Sequence, residues 1–86
     1  MSIYAVLSRT DNPALEARIL ELFPNDHYKY SPAQWFISSQ GTAKELSDKI
    51  GISDKEQNLS AVILSISHYW GRASTDLWDW MKSRWE

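Results

Sequence analysis

Gln34-Trp35-Phe36-Ile37-Ser38-Ser39-Gln40-Gly41-Thr42-Ala43-Lys44-Glu45-Leu46-Ser47-Asp48-Lys49-Ile50-Gly51-Ile52 holds the clearest local signals in the chain. Residues 34–38 are rich in aromatic and β-branched side chains, which fit a pleated, half-buried strand. Thr42-Ala43-Lys44-Glu45 has the capping-box pattern, in which the threonine hydroxyl and the glutamate carboxylate each satisfy a backbone amide left free at a helix start. Leu46 and Ile50 recur at helical spacing, Gly51 supplies a left-handed stop, and Ile52 can fold back on the last turn. After the solvated loop Asp54-Lys55-Glu56-Gln57-Asn58, the run Leu59-Ser60-Ala61-Val62-Ile63-Leu64-Ser65-Ile66-Ser67 predicts a further strand. Val62, Leu64 and Ile66 share one of its faces, and Ala61, Ile63, Ser65 and Ser67 the other. The second stripe is small and semi-polar, so something light is expected to cover it.

The amino-terminal half repeats the plan. Ile3 to Ser8 is a short apolar run that fits a buried central strand. Asn12 is a good helix cap and Pro13 suits the first helical position, while Leu15, Ile19, Leu22 and Phe23 form one apolar stripe. Pro24-Asn25-Asp26 ends that helix. His27-Tyr28-Lys29-Tyr30 then predicts a strand that reaches the one at Gln34 through Ser31-Pro32-Ala33, a hairpin with a three-residue connection.

Strand, helix, strand, strand, helix, strand is the split-βαβ order, so the sequence predicts an α+β, ferredoxin-like βαββαβ sandwich in one domain, residues 1–86, with a short C-terminal tryptophan-rich helix. Right-handed crossovers place strands one and three in the middle of an antiparallel sheet, with the two longer helices on one face. Trp35 and Phe36, adjacent on a strand, must point to opposite faces. The face without the two helices needs a cover. Four of the five tryptophans lie in the last seventeen residues, at Trp70, Trp78, Trp80 and Trp85. Such density at a chain end says that this end is docked, either on its own sheet or on a second subunit. The last helix is expected to begin after Ser74 or Thr75, with Leu77, Trp78, Met81 and Trp85 on its apolar stripe and Trp80 off to the side.

Composition narrows the function. With 86 residues, 43% hydrophobic and 23% charged, the chain is a small folded globule whose large apolar side chains are needed for packing or for a dimer seam. A net charge of -2 argues against a bulk electrostatic nucleic-acid binder. The absence of cysteine removes disulfides, thiolate metal sites and a thiol nucleophile. The first apolar run has no basic lead and is far shorter than a signal or membrane segment, so no membrane association is expected and cytoplasm is the default compartment.

No candidate site has converging catalytic groups. Asp11 stands where a metal-binding carboxylate could serve a phosphodiesterase, but Asp11-Asn12-Pro13 also explains itself as a helix-capping segment. His27 and His68 show no spacing that brings them together as ligands or pairs either with a nucleophile. No phosphate loop, serine-histidine-acid order or metalloprotease pattern occurs. No catalytic residue, metal ligand or cofactor is therefore assigned. The binding candidates are Tyr69, Trp70, Arg72 and Trp80. Arg72 follows Gly71 among aromatic residues, where a guanidinium can stack on a ring or clamp an anion. Exposed sheet aromatics can also stack bases, yet Trp35-Phe36-Ile37 lacks the glycine and basic surroundings of the usual RNA-binding motif.

Trp35-Phe36-Ile37, the apolar fourth strand, Trp70-Gly71-Arg72 and Asp76-Leu77-Trp78-Asp79-Trp80 together resemble the small bacterial ferredoxin-like proteins labelled SinR-like, relatives of the CRISPR-adaptation nuclease subunit family. The resemblance implies a homodimer assembled about the sheets. The family's nucleases carry an aspartate at the end of the first strand, where this chain has Leu7-Ser8-Arg9, so the hydrolytic site is not carried over. The expectation is a non-enzymatic interaction module, dimeric, contacting a protein partner through an aromatic surface and Arg72, as a phage or mobile-element accessory protein acting on a host defence complex would. The alternatives are a divergent metal-dependent nuclease using Asp11 and a sheet-face binder of RNA or a nucleotide.

Overall fold

The computed structural model describes residues 2–52, 60–68, 71–73 and 75–85. In chain order these form β1 (Ser2–Leu7), α1 (Pro13–Leu22), β2 (His27–Ser31), β3 (Gln34–Ser39), α2 (Ala43–Ile50), β4 (Val62–Ile66) and α3 (Thr75–Arg84). The result is an α+β fold with one four-stranded sheet, in the order β2-β3-β1-β4, every neighbouring pair antiparallel. Strands one and three are central, as the right-handed crossovers predict.

The helix ends follow the local chemistry. Asn12 caps α1 by accepting a hydrogen bond from Leu15 N at 3.2 Å, with Pro13 at the first helical position. Thr42 Oγ1 accepts from Glu45 N at 3.1 Å, the threonine half of the expected capping box. Gly51 ends α2 in the left-handed region, φ 99°, and the Ile52 amide donates to Ser47 O at 3.0 Å, which folds Ile52 back onto the core. Arg18 ties the two helices together. Its Nε and Nη2 donate to the carbonyls of Ile50 and Lys49 at 3.1 and 3.2 Å, a cation at the negative end of α2. The hairpin is tighter than expected: β2 runs on through Ser31, a bulge between Lys29 and Ser31 takes up the extra residue, and only Pro32 and Ala33 turn.

Two cores sit on the two faces of the sheet. Tyr4, Val6, Trp35 and Ile37 meet Leu15 and Ile19 of α1 and Leu46 and Ile50 of α2. On the opposite face Ile3, Leu77 and Met81 are buried, with Tyr28, Phe36, Ile66, Trp78, Trp80 and Trp85 packed around them. Trp35 and Phe36 thus enter different cores, and the tryptophan-rich tail covers its own sheet.

The cover is partial, and β4 differs from its sequence reading. Register pairs Val6 with Ile63 and Ala5 with Leu64. Val6 belongs to the two-helix core, so Ile63 and Ala61 follow it there, and the light stripe of β4 receives the heavier cover. The strongly apolar stripe faces the α3 side, where Ile66 is packed but Leu64 is 48% and Val62 55% exposed. Among the described residues no helix is long and apolar enough to cross a membrane.

Candidate interaction surface

The α3 face of the sheet is built in cross-strand rows. Ile3 pairs with Ser38 and Ile66, Ala5 with Phe36 and Leu64, and Leu7 with Gln34 and Val62. Tyr28 extends the middle row through its pairing with Phe36. α3 rests on Ile3, Ile66, Tyr28 and Phe36. Beyond it Val62, Leu64 and Tyr30 remain open, Tyr30 being 50% exposed with its ring edge-on to Phe36 at 5.8 Å. The step between helix and open sheet forms a groove of about 330 Å³. Tyr30, Phe36 and Ile66 belong to its sheet side, Leu77, Trp78 and Met81 to its helix side, and His68, Gly71, Arg72 and Ala73 join them.

Arg72 is exposed and lines this groove. No ion pair engages it among the described residues. Tyr69 and Trp70, the other two expected neighbours, lie outside the described residues. Trp80 is elsewhere. It is half-buried, 6.0 Å from the Tyr28 ring at a 52° tilt, with the Arg84 guanidinium 4.8 Å from its ring centroid. Trp80, off to the side of the stripe and a binding candidate in the sequence, is thus packed against the sheet instead of lining the groove. The helical stripe is wider than Leu77, Trp78, Met81 and Trp85, because α3 touches β2 as well as β1 and packs Trp80 beside Tyr28. Trp78 takes the groove side instead, and Tyr30 and His68, which the sequence gives no reason to bring together, join it there.

Arg84 is the tail's fastening. Its Nη2 donates to Asn25 O at 2.7 Å, and its Nε lies 3.6 Å from Asp26 Oδ1. Helix-dipole complementarity accounts for a basic residue near this end of α3, but the contact to the α1–β2 loop depends on tertiary placement.

The two histidines do not converge on a metal. His27 Nδ1 is 2.6 Å from Phe23 O, where an Nδ1–H donates to the carbonyl, and His68 is on the groove. Asp11 is exposed and lines a separate shallow pocket of about 90 Å³ with Glu16 and Lys29. Glu16 is held below the usual carboxylate range, first by its hydrogen bond to Lys29 at 2.7 Å and, less, by the Trp35 side chain. Among the described residues no three His, Cys, Asp or Glu side chains are grouped to hold a metal ion.

No family model, curated protein or solved structure matches this chain.

Proposed function

We propose that the chain is a non-enzymatic interaction module of ferredoxin-like topology, dimeric along β4, which docks a protein partner on the half-covered α3 face. The observation that carries this reading is the open apolar stripe of Val62 and Leu64, continuous with the groove at Ile66. A small domain gains nothing from leaving such residues in water, and contiguous exposed apolar area marks a contact surface. The β2-β3-β1-β4 order is that of a split-βαβ sandwich, which supports the ferredoxin-like assignment.

Edge chemistry favours the second copy at β4. The other edge, β2, carries His27 and Lys29 and a bulge, devices that discourage strand pairing. β4 is Val-Ile-Leu-Ser-Ile, without charge, proline or bulge. Pairing of two β4 strands extends the sheet in its own plane and leaves the α3 face accessible. Sedimentation of the wild type beside Val62→Lys and Leu64→Lys tests the assembly. A dimer that both lysines convert to a folded monomer is the expected result; a wild-type monomer of 10.0 kDa at high micromolar concentration removes the β4 pairing.

A further inference from the structure

We propose that the open half of the α3 face is the seat of a single amphipathic helix from a partner protein, acidic along the flank that meets Arg72. This rests on the interaction-module reading and names the chemistry of the partner.

Width sets the occupant's shape. Four strands at about 4.8 Å spacing make a sheet that carries two helices of roughly 10 Å diameter side by side. α1 and α2 fill the opposite face in that way, both contributing to one core. Among the described elements α3 is alone on its face and touches β1 and β2, and the apolar side chains left uncovered on β4 beside it, Leu64 and Val62, lie in the second helical position. The groove along α3 offers the incoming apolar stripe a floor of Phe36 and Ile66 and a wall of Leu77, Trp78 and Met81, as helix-in-groove recognition requires.

Charge sets the occupant's flank. In a chain with 11 acidic residues, the groove lining among the described residues includes Arg72 and His68 and no carboxylate. Lys82, exposed and four residues beyond Trp78, shares the groove side of α3. Asp76, four residues before Trp80, shares the far flank, and Asp79 is turned away from the sheet. A second copy seated here about a two-fold axis would set Arg72 and Lys82 against their own copies, whereas a helix bearing glutamates complements them. The overall negative charge favours a protein over single-stranded RNA, which would need a basic track beside the groove's rings.

Titration of the isotope-labelled full chain tests this by NMR. The probes are two synthetic helical peptides of about 14 residues, each with leucines at helical spacing, one flanked by glutamate and the other by lysine. A short uridine-rich RNA is the third. The glutamate peptide is expected to shift Tyr30, Leu64, Ile66, Arg72 and the Trp78 indole, and to bind at least about tenfold more tightly than the lysine peptide. Arg72→Glu, at an exposed position, should reverse that preference. Equal binding of both peptides, no binding, shifts elsewhere, tighter binding by the RNA, or shifts at Tyr30, Arg72 and the Trp78 indole, all off the β4 edge, on concentrating the protein alone would each overturn the proposal. If the peptides fail while Val62→Lys still dissolves the dimer, the seat is wrong and the β4 assembly stands.

Discussion

Trp80 packs against Tyr28 across the gap between α3 and the edge strand β2, ring centroids 6.0 Å apart. The Arg84 guanidinium lies over the same indole, 4.8 Å from its ring centroid. One half-buried ring thus joins the helix to the sheet edge and to its own last turn.

Trp80→Ala is accordingly expected to destabilise the monomer. Loss of the aromatic pair, the cation–π contact and part of a large buried area should cost about 2 kcal/mol, below the roughly 3–5 kcal/mol of a fully buried tryptophan. Urea denaturation reads this directly. A change under about 0.5 kcal/mol, the size of an ordinary surface substitution, would mean that the ring contributes no packing.

Arg84→Ala should loosen the tail without unfolding the sheet. The guanidinium holds Asn25 O and faces Asp26, so its removal frees the last turn of α3 from the α1–β2 loop. Amide exchange is expected to accelerate over residues 81–85 while β1 and β3 keep their protection. Uniform acceleration across the sheet would show instead that α3 and the sheet open as one unit.

What was legible in the sequence was local. Asn12-Pro13, Thr42 and Gly51 act on backbone groups within a few residues of themselves, so the helix ends appear where the chain places them. The element order and the central positions of β1 and β3 follow from the same signals and the crossover rule. Which face each stripe of β4 would occupy was not legible, because that depends on its register against β1: Val6 opposite Ile63 sends the heavy stripe to the lightly covered side. The position of Trp80 was hidden for a related reason. A helical wheel gives the angle of a residue about its own axis and says nothing of how the axis crosses the sheet.

Thr42→Ala should cost about 1 kcal/mol, the usual loss when a helix cap is removed, since Thr42 Oγ1 accepts the Glu45 amide. Gly51→Ala should cost about 1–2 kcal/mol, because φ 99° is unfavourable for a residue with a Cβ. Thermal or urea melts of both variants check the pair, and additive losses beyond about 0.5 kcal/mol of deviation are not expected for two separate ends of α2. Wild-type stability of Gly51→Ala would mean that the α2 terminus does not need its left-handed turn.

Glu16 and Lys29 give a pH signature. The hydrogen bond from Lys29 holds the Glu16 carboxyl below its ordinary range in the folded chain, so the folded state binds its proton less readily than the unfolded one. The stabilisation is present above the unfolded carboxyl pKa and is lost as pH falls through the lower folded value. Glu16→Gln should therefore lower the melting temperature slightly near neutrality and shrink its difference from wild type under acid conditions. A constant difference between the two from neutral to acid pH would contradict the assignment.

Catalytic turnover is the last expectation, and the same ion pair bears on it. A metal-dependent nuclease needs acidic ligands that together hold a divalent ion and orient an attacking water. In the pocket that Asp11 lines, the other carboxylate among the described residues is Glu16, and the Lys29 ammonium sits 2.7 Å from its oxygen. A metal bridging Asp11 and Glu16 would have to displace that ammonium or accept its repulsion. We expect no steady cleavage of RNA or DNA with magnesium or manganese, and no difference between wild type and Asp11→Ala. Lys29→Ala, which releases Glu16, adds a second arm. Metal-dependent cleavage that rises in Lys29→Ala and disappears in Asp11→Ala, with both variants melting cooperatively, would establish a hydrolytic site and replace the non-enzymatic reading.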